Sequence, residues 1–189
     1  MKATVENLAK DVLSQNEFNE AVLVSDMYLH DRRAVLVKFF ELDSKVGIPV
    51  PTHTHYQIKY RGVVRSIDYY CKTDIKKGIR FTRNFVENAS AHVVSSCELL
   101  LEKLNPNARK GIPFGPFIDQ LDKAHVSKSL VRQLRDFNKT AYKRAKHDWG
   151  PPLRPEMHLF TKREAIMMYL IARKLGRKIF DEGKLDLPK

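Results

Sequence analysis

Apolar residues return at helical intervals along most of this chain. Tyr60, Val63, Ile67, Tyr70, Cys71 and Ile75 keep steps of one, three and four, and Phe81, Phe85, Ala89, Val93, Cys97, Leu100 and Leu104 keep four and three. Such steps place side chains on one face of a 3.6-residue helix. Ile166, Leu170, Leu175 and Ile179 trace another stripe, opened by Thr161 with Glu164 three residues later. That pair has the form of a capping box, each side chain taking one orphan N–H of the first turn. Long helices are therefore predicted over 56–77, 81–104, 127–148 and 161–181. Residues 2–15 and 17–43 also lean helical. Arg33–Phe40 is β-branched and aromatic, but no turn and partner strand follow it, so helix is kept there.

Proline and glycine cluster at three joints: Gly47–Pro51, Asn105–Pro116 and Gly150–Pro155. Missing N–H donors and positive-φ permissiveness should stop helices at each. The expected fold is all-α, an antiparallel bundle of about six or seven helices. Residues 1–55 form an N-terminal helical segment and residues 56–189 the bundle domain.

Composition narrows the class. The chain has 189 residues, 43% apolar and 30% charged, which is enough to bury a core without metal or disulfide staples. Its two cysteines, Cys71 and Cys97, exclude a disulfide framework and a four-cysteine zinc site. Both lie on apolar helical faces, which argues against a cysteine nucleophile. No apolar run approaches the roughly 18 residues of a membrane span, and Met1–Glu6 does not open a signal peptide. A cytoplasmic protein without membrane contact is expected.

Charge adds a direction. The net charge is +12. Residues 1–60 carry 7 Lys/Arg against 8 Asp/Glu, residues 61–127 carry 11 against 7, and residues 128–189 carry 16 against 7. The excess concentrates at the C-terminal end, and a basic surface of this kind suits RNA, another polyanion or an acidic protein. Within 127–148, Lys128, Arg132, Arg135, Lys139, Lys143 and Lys146 fall at steps of 4, 3, 4, 4 and 3. On an ideal helix all six share a stripe roughly 80° wide. Leu130, Leu134, Phe137, Ala141 and Ala145 form the opposing band. Asp136 is the one acid between Lys128 and Lys146. Like charges at i,i+4 repel, so either an anion sits on the stripe or acids from another helix, such as Glu98 and Glu102, lie opposite.

Asn138 stands at the edge of the packing band, with Arg135 and Tyr142 as surface neighbours. Arg135, Asn138, Tyr142 and Lys146 make a polar line that serves either as a hydrogen-bonded buttress or as a ligand or active site. The helix then reaches Lys146-His147-Asp148-Trp149. His147 beside a helix C-terminus has its cation favoured by the dipole.

The long helix over 81–104, the loop with Phe114-Gly115-Pro116-Phe117-Ile118, the Phe137-Asn138-Lys139 … Lys146-His147-Asp148 helix and the final amphipathic helix together resemble the HEPN-like superfamily of helical bundles. The resemblance covers residues 80–180. It implies an RNA-binding or dimerisation module, or a degenerate or partner-dependent metal-independent ribonuclease, with His147, Asn138 and Arg135 as candidate catalytic residues. The family's Arg, four to six residues, His spacing is not matched: Arg144 lies three and Arg135 twelve positions before His147. The family resemblance thus supports the fold more than nuclease activity, and a homodimer is compatible with it.

No cofactor motif is present. His53 and His55 alternate in a proline-flanked loop, with His30 and Asp31 the nearest further ligands in sequence; no metal site is expected. His92 falls on a packing face and reads as a satisfied core histidine. Leu121–Arg132 has the pattern of a helix-turn-helix, which gives a DNA-binding regulator as the alternative. A non-catalytic protein-interaction module is the third reading.

Overall fold

The structure, a computed structural model, describes residues 4–27, 32–48, 75–109, 111–146 and 161–186. The described residues are helical and contain no strand. In chain order the helices are α1 (Val5–Val12), α2 (Gln15–Met27), α3 (Arg32–Val46), α4 (Ile75–Leu104), α5 (Phe114–Lys123), α6 (Lys128–Phe137), a π-helical segment (Asn138–Tyr142), α7 (Lys143–Lys146) and α8 (Lys162–Gly183). The helix expected over 56–77 lies outside the described residues except at its last turn, where α4 begins. The helix over 33–40 is realised inside α3.

Local chemistry explains the ends. Thr4 caps α1, its side chain accepting from the Asn7 N–H. Ser14 and Glu17 exchange hydrogen bonds across the first turn of α2, which separates α1 from α2 with a single tight break. The Thr161–Glu164 capping box forms in both directions, at 3.1 and 2.9 Å. Thr161→Ala should lower stability by about 1 kcal/mol. An unshifted urea midpoint for that variant would dismiss the cap as a contributor.

α8 is the central element. Ala165 to Arg173 are buried without interruption, because α1, α2, α3, α4 and α6 all pack around it. The most extensive contact is between α4 and α8. One hydrophobic cluster runs from Val5, Leu8 and Phe18 through Phe39, Val93 and Leu100 to Leu134, Tyr169 and Ile179. Phe39 and Tyr169 pack with ring centroids 4.9 Å apart. The first three helices therefore share the core of the later ones.

A polar cluster is buried where α3, α4 and α8 meet. Arg173 Nε donates to Asp43 Oδ1 at 2.6 Å, and Arg173 Nη2 donates to the Ile48 carbonyl at 2.7 Å. Arg173 Nη1 lies 3.4 Å from His92 Nε2. His92 is thus a buried, partnered core histidine, as its sequence position suggests. Two glycines make room. A Cβ on Gly47 would lie 2.6 Å from the Arg173 guanidinium, and a Cβ on Gly176 would lie 2.5 Å from His92 Nε2.

Candidate nucleic-acid interface

α5 and α6 are joined by a turn over 124–127, with His125 in the left-handed conformation at φ 62. A non-glycine residue supplies the positive φ that tight helix–helix turns need. α6 buries Leu130, Val131, Gln133, Leu134 and Phe137, so the apolar band lies where the sequence pattern puts it. Lys128, Arg132, Arg135, Lys139 and Lys143 are exposed. The Lys146 side chain and all of His147 lie outside the described residues.

The stripe divides into two halves. In the first half each cation meets carboxylates of this same chain. Lys128 Nζ is 2.6 Å from Asp122 Oδ1. Arg132 Nη2 is 2.8 Å from Asp11 Oδ1 and also faces Asp136. Arg135 Nη2 is 3.0 Å from both Asp119 and Asp122. Hydrogen bonds from Lys128 and then Arg135 hold the Asp122 carboxyl below the ordinary carboxylate range. Burial pushes Asp11 up, but hydrogen bonds from Arg132 and Gln133 outweigh it and the carboxyl ends lowered. The carboxylates answering Lys128, Arg132 and Arg135 thus come from α1, α5 and α6. In the second half, Lys139 and Lys143 have no carboxylate partner among the described residues.

The backbone changes between these halves. Asn138–Tyr142 is π-helical, so the rod from Lys128 to Lys146 carries one wide turn rather than a uniform 3.6-residue phase. Asn138 begins it and is 7% exposed. Its Oδ1 is buried and accepts no hydrogen bond. Of the two roles the sequence leaves open for this polar line, a hydrogen-bonded buttress is not made through Asn138 Oδ1, and Arg135 turns to Asp119 and Asp122. No hydrogen bond joins Arg135 to Asn138 among the described residues.

What Asn138 does meet is the first turn of α5. A Cβ built on Gly115 would lie 3.5 Å from Asn138 Nδ2. Beside it, Phe114 packs on Tyr142 with centroids 5.1 Å apart. Pro113 is the N-cap of α5 and offers no side-chain hydrogen bond, and no acid lies in that first turn. This juxtaposition was not legible from sequence. The proline–glycine pattern marks a joint but does not say which helix it touches.

Other chemistry is limited. Among the described residues no group of three or more His, Cys, Asp or Glu could hold a metal ion; His30, Asp31, His53 and His55 lie outside them. Cys97 is buried, and burial, with Glu98 adding to it, pushes its thiol far above the ordinary range. A cavity of about 420 Å³ lies between the start of α6 and the end of α8. Asp181 and Glu182 line it, and its Lys178 is bound to Gln133, so it does not suit a polyanion. No described helix is long and apolar enough to cross a membrane. Against known proteins, no family model, no curated protein and no solved structure matches the chain.

Proposed function

We propose that this protein is a helical-bundle RNA- or polyanion-binding protein, of HEPN-like type, whose contact surface is the second half of the basic stripe. The observation that carries the reading is the contrast between its halves. Lys128, Arg132 and Arg135 are answered by Asp11, Asp119, Asp122 and Asp136, whereas Lys139 and Lys143 stand exposed and unanswered among the described residues. An exposed cation without an acid partner is free to replace a counterion on a phosphate backbone. The paired cations gain less from an anion, because binding one means giving up carboxylate contacts already made.

The test uses single-stranded RNA and duplex DNA across a salt series. Lys139→Gln with Lys143→Gln should leave the fold intact, since both side chains face solvent. It should weaken RNA binding and reduce the log–log salt slope by about 0.7 for each lost contact. Lys128→Gln, whose cation is already paired with Asp122, should change affinity and slope less. Equal affinity and slope in wild type and the 139/143 double variant would remove the stripe as a binding surface. Absence of binding to both nucleic acids at low salt would favour the protein-interaction reading.

A further inference from the structure

We propose that Lys178, at the wall of the cavity between α6 and α8, captures a small hydroxyaldehyde as an imine. The proposal draws on neither Lys139 nor Lys143 and stands apart from nucleic-acid binding. The cavity measures about 420 Å³ and takes its lining from the start of α6 and the end of α8. Leu130 and Gln133 are buried, whereas Ser127, Ser129, Asp181 and Glu182 are exposed, and Lys178 is half-buried between them. A small molecule can therefore enter from solvent and meet the amine inside.

The surroundings of Lys178 favour its neutral form. Gln133 Nε2 donates to the Asp11 carbonyl at 3.0 Å, which fixes the amide and turns Oε1 to Lys178 Nζ, also at 3.0 Å. The hydrogen-bond partner of the amine is thus a neutral oxygen. The nearby carboxylates belong to other cations: Asp11 pairs with Arg132 at 2.8 Å and Glu17 with Lys174 at 2.7 Å. Burial pushes the Lys178 ammonium below the ordinary lysine range; Lys174 and Arg132 add to the effect, while Asp11 and Glu17 oppose it. A lysine held this way offers more free amine near neutral pH than an exposed one, and the free amine is the nucleophile.

The lining selects the ligand. The Ser127 backbone N–H donates to Glu182 Oε1 at 2.7 Å and anchors that carboxylate at the cavity. With Asp181 it offers oxygens that accept from ligand hydroxyls and repel a carboxylate or phosphate, and Ser127 and Ser129 add hydroxyls of their own. Leu130 gives a small apolar surface for C–H groups. A neutral, hydroxylated aldehyde, such as the open form of a short sugar, matches this set. The Lys178 ammonium first gives a proton to water. The amine then attacks the carbonyl carbon, and the C=O pair moves to oxygen, which takes a proton from the nitrogen. The resulting hydroxyl takes back the first proton and leaves as water while the nitrogen pair forms C=N. Ammonium and aldehyde thus give a protonated imine and water, with no further reagent.

The experiment treats the full chain with glycolaldehyde and cyanoborohydride, which reduces the imine to a stable secondary amine, and maps the labelled lysines by mass spectrometry. Labelling of Lys178 at neutral pH should outpace that of exposed Lys139 and Lys143 by about tenfold. Its rate should also reach half its maximum at a lower pH than theirs. Glyoxylate, an aldehyde that carries a carboxylate, should give a lower ratio of Lys178 to Lys139 label than glycolaldehyde does. Ser129→Ala with Asp181→Asn alters two exposed side chains of the lining. It should slow the glycolaldehyde reaction at Lys178 severalfold and leave that of propanal, which has no hydroxyl, unchanged. Lys178 labelling no faster than Lys139 and Lys143 would overturn the proposal, and so would an equal ratio with glyoxylate. An unchanged glycolaldehyde rate in the double variant would also overturn it, because Lys178 would then be a reactive amine without a site for the ligand.

Discussion

Arg173→Met should cost about 3–5 kcal/mol of folding stability, because it strands a carboxylate inside the protein. Asp43 and Arg173 have side chains 5% and 4% exposed. The guanidinium is held by Asp43 and by the Ile48 carbonyl, and it lies against His92. Arg177 donates a further pair of hydrogen bonds to the Gly47 carbonyl, so two arginines of α8 grip the C-terminal end of α3. Removing the Arg173 head leaves the Asp43 charge desolvated and unpaired, and that penalty exceeds the net worth of the ion pair itself. The double variant Arg173→Met, Asp43→Leu separates the two quantities. With both charges gone, the cost should fall well below that of the single variant, since apolar replacement of a whole buried pair is often close to neutral. Urea unfolding of the three proteins gives the comparison. A single variant with an unshifted midpoint would mean that the pair is open to water in solution.

The elements of this fold that follow from periodic burial could be read from the chain. The stripe Val93, Cys97, Leu100 is buried within α4, and Leu130, Leu134, Phe137, Ala141 form the packing side of the basic rod. The Thr161–Glu164 box was legible because its two hydrogen bonds lie within one turn. The Ser14–Glu17 pair has the same spacing and the same result at α2, but the apolar residues on either side hide the break between α1 and α2. Arg173 carried a partial signal: a single charge ending an eight-residue apolar run from Ala165 to Ala172. Its partner Asp43 lies 130 positions away, and no local rule connects them.

The basic stripe shows the same boundary more sharply. Its phase was legible, and the exposure of Lys128, Arg132, Arg135, Lys139 and Lys143 agrees with it. Its charge balance was not, because Asp11 and Asp119 reach it from α1 and α5 through the packing of whole helices. The π-helical turn was equally hidden. A reading at about 100° per residue assumes a uniform helix, and nothing in Asn138-Lys139-Thr140-Ala141-Tyr142 breaks the pattern of an ordinary one. Thr140 gives its hydroxyl back to the Asp136 carbonyl within the same rod, a contact that leaves no mark on apolar spacing.

Asn138→Leu should raise stability, by about 1–3 kcal/mol. A buried asparagine with partners would give the opposite sign, because its loss would leave those partners unsatisfied. Here Oδ1 is buried and accepts nothing, so the wild-type protein carries the desolvation penalty of a carbonyl oxygen without the hydrogen bond that normally offsets it. Leucine has the same number of side-chain heavy atoms and the same branch point. Phe137 just before it and Ala141 three residues on are buried and apolar, and Gly115 carries no side chain to oppose a leucine methyl where Nδ2 now sits. Thermal and urea midpoints of wild type, Asn138→Leu and Asn138→Asp give the test. Leucine should lie above wild type and aspartate below it, since a carboxylate there would be a buried charge. A leucine variant below wild type would show that the carboxamide is satisfied in solution, by an ordered water or a neighbouring group, and would restore Asn138 as a buttress.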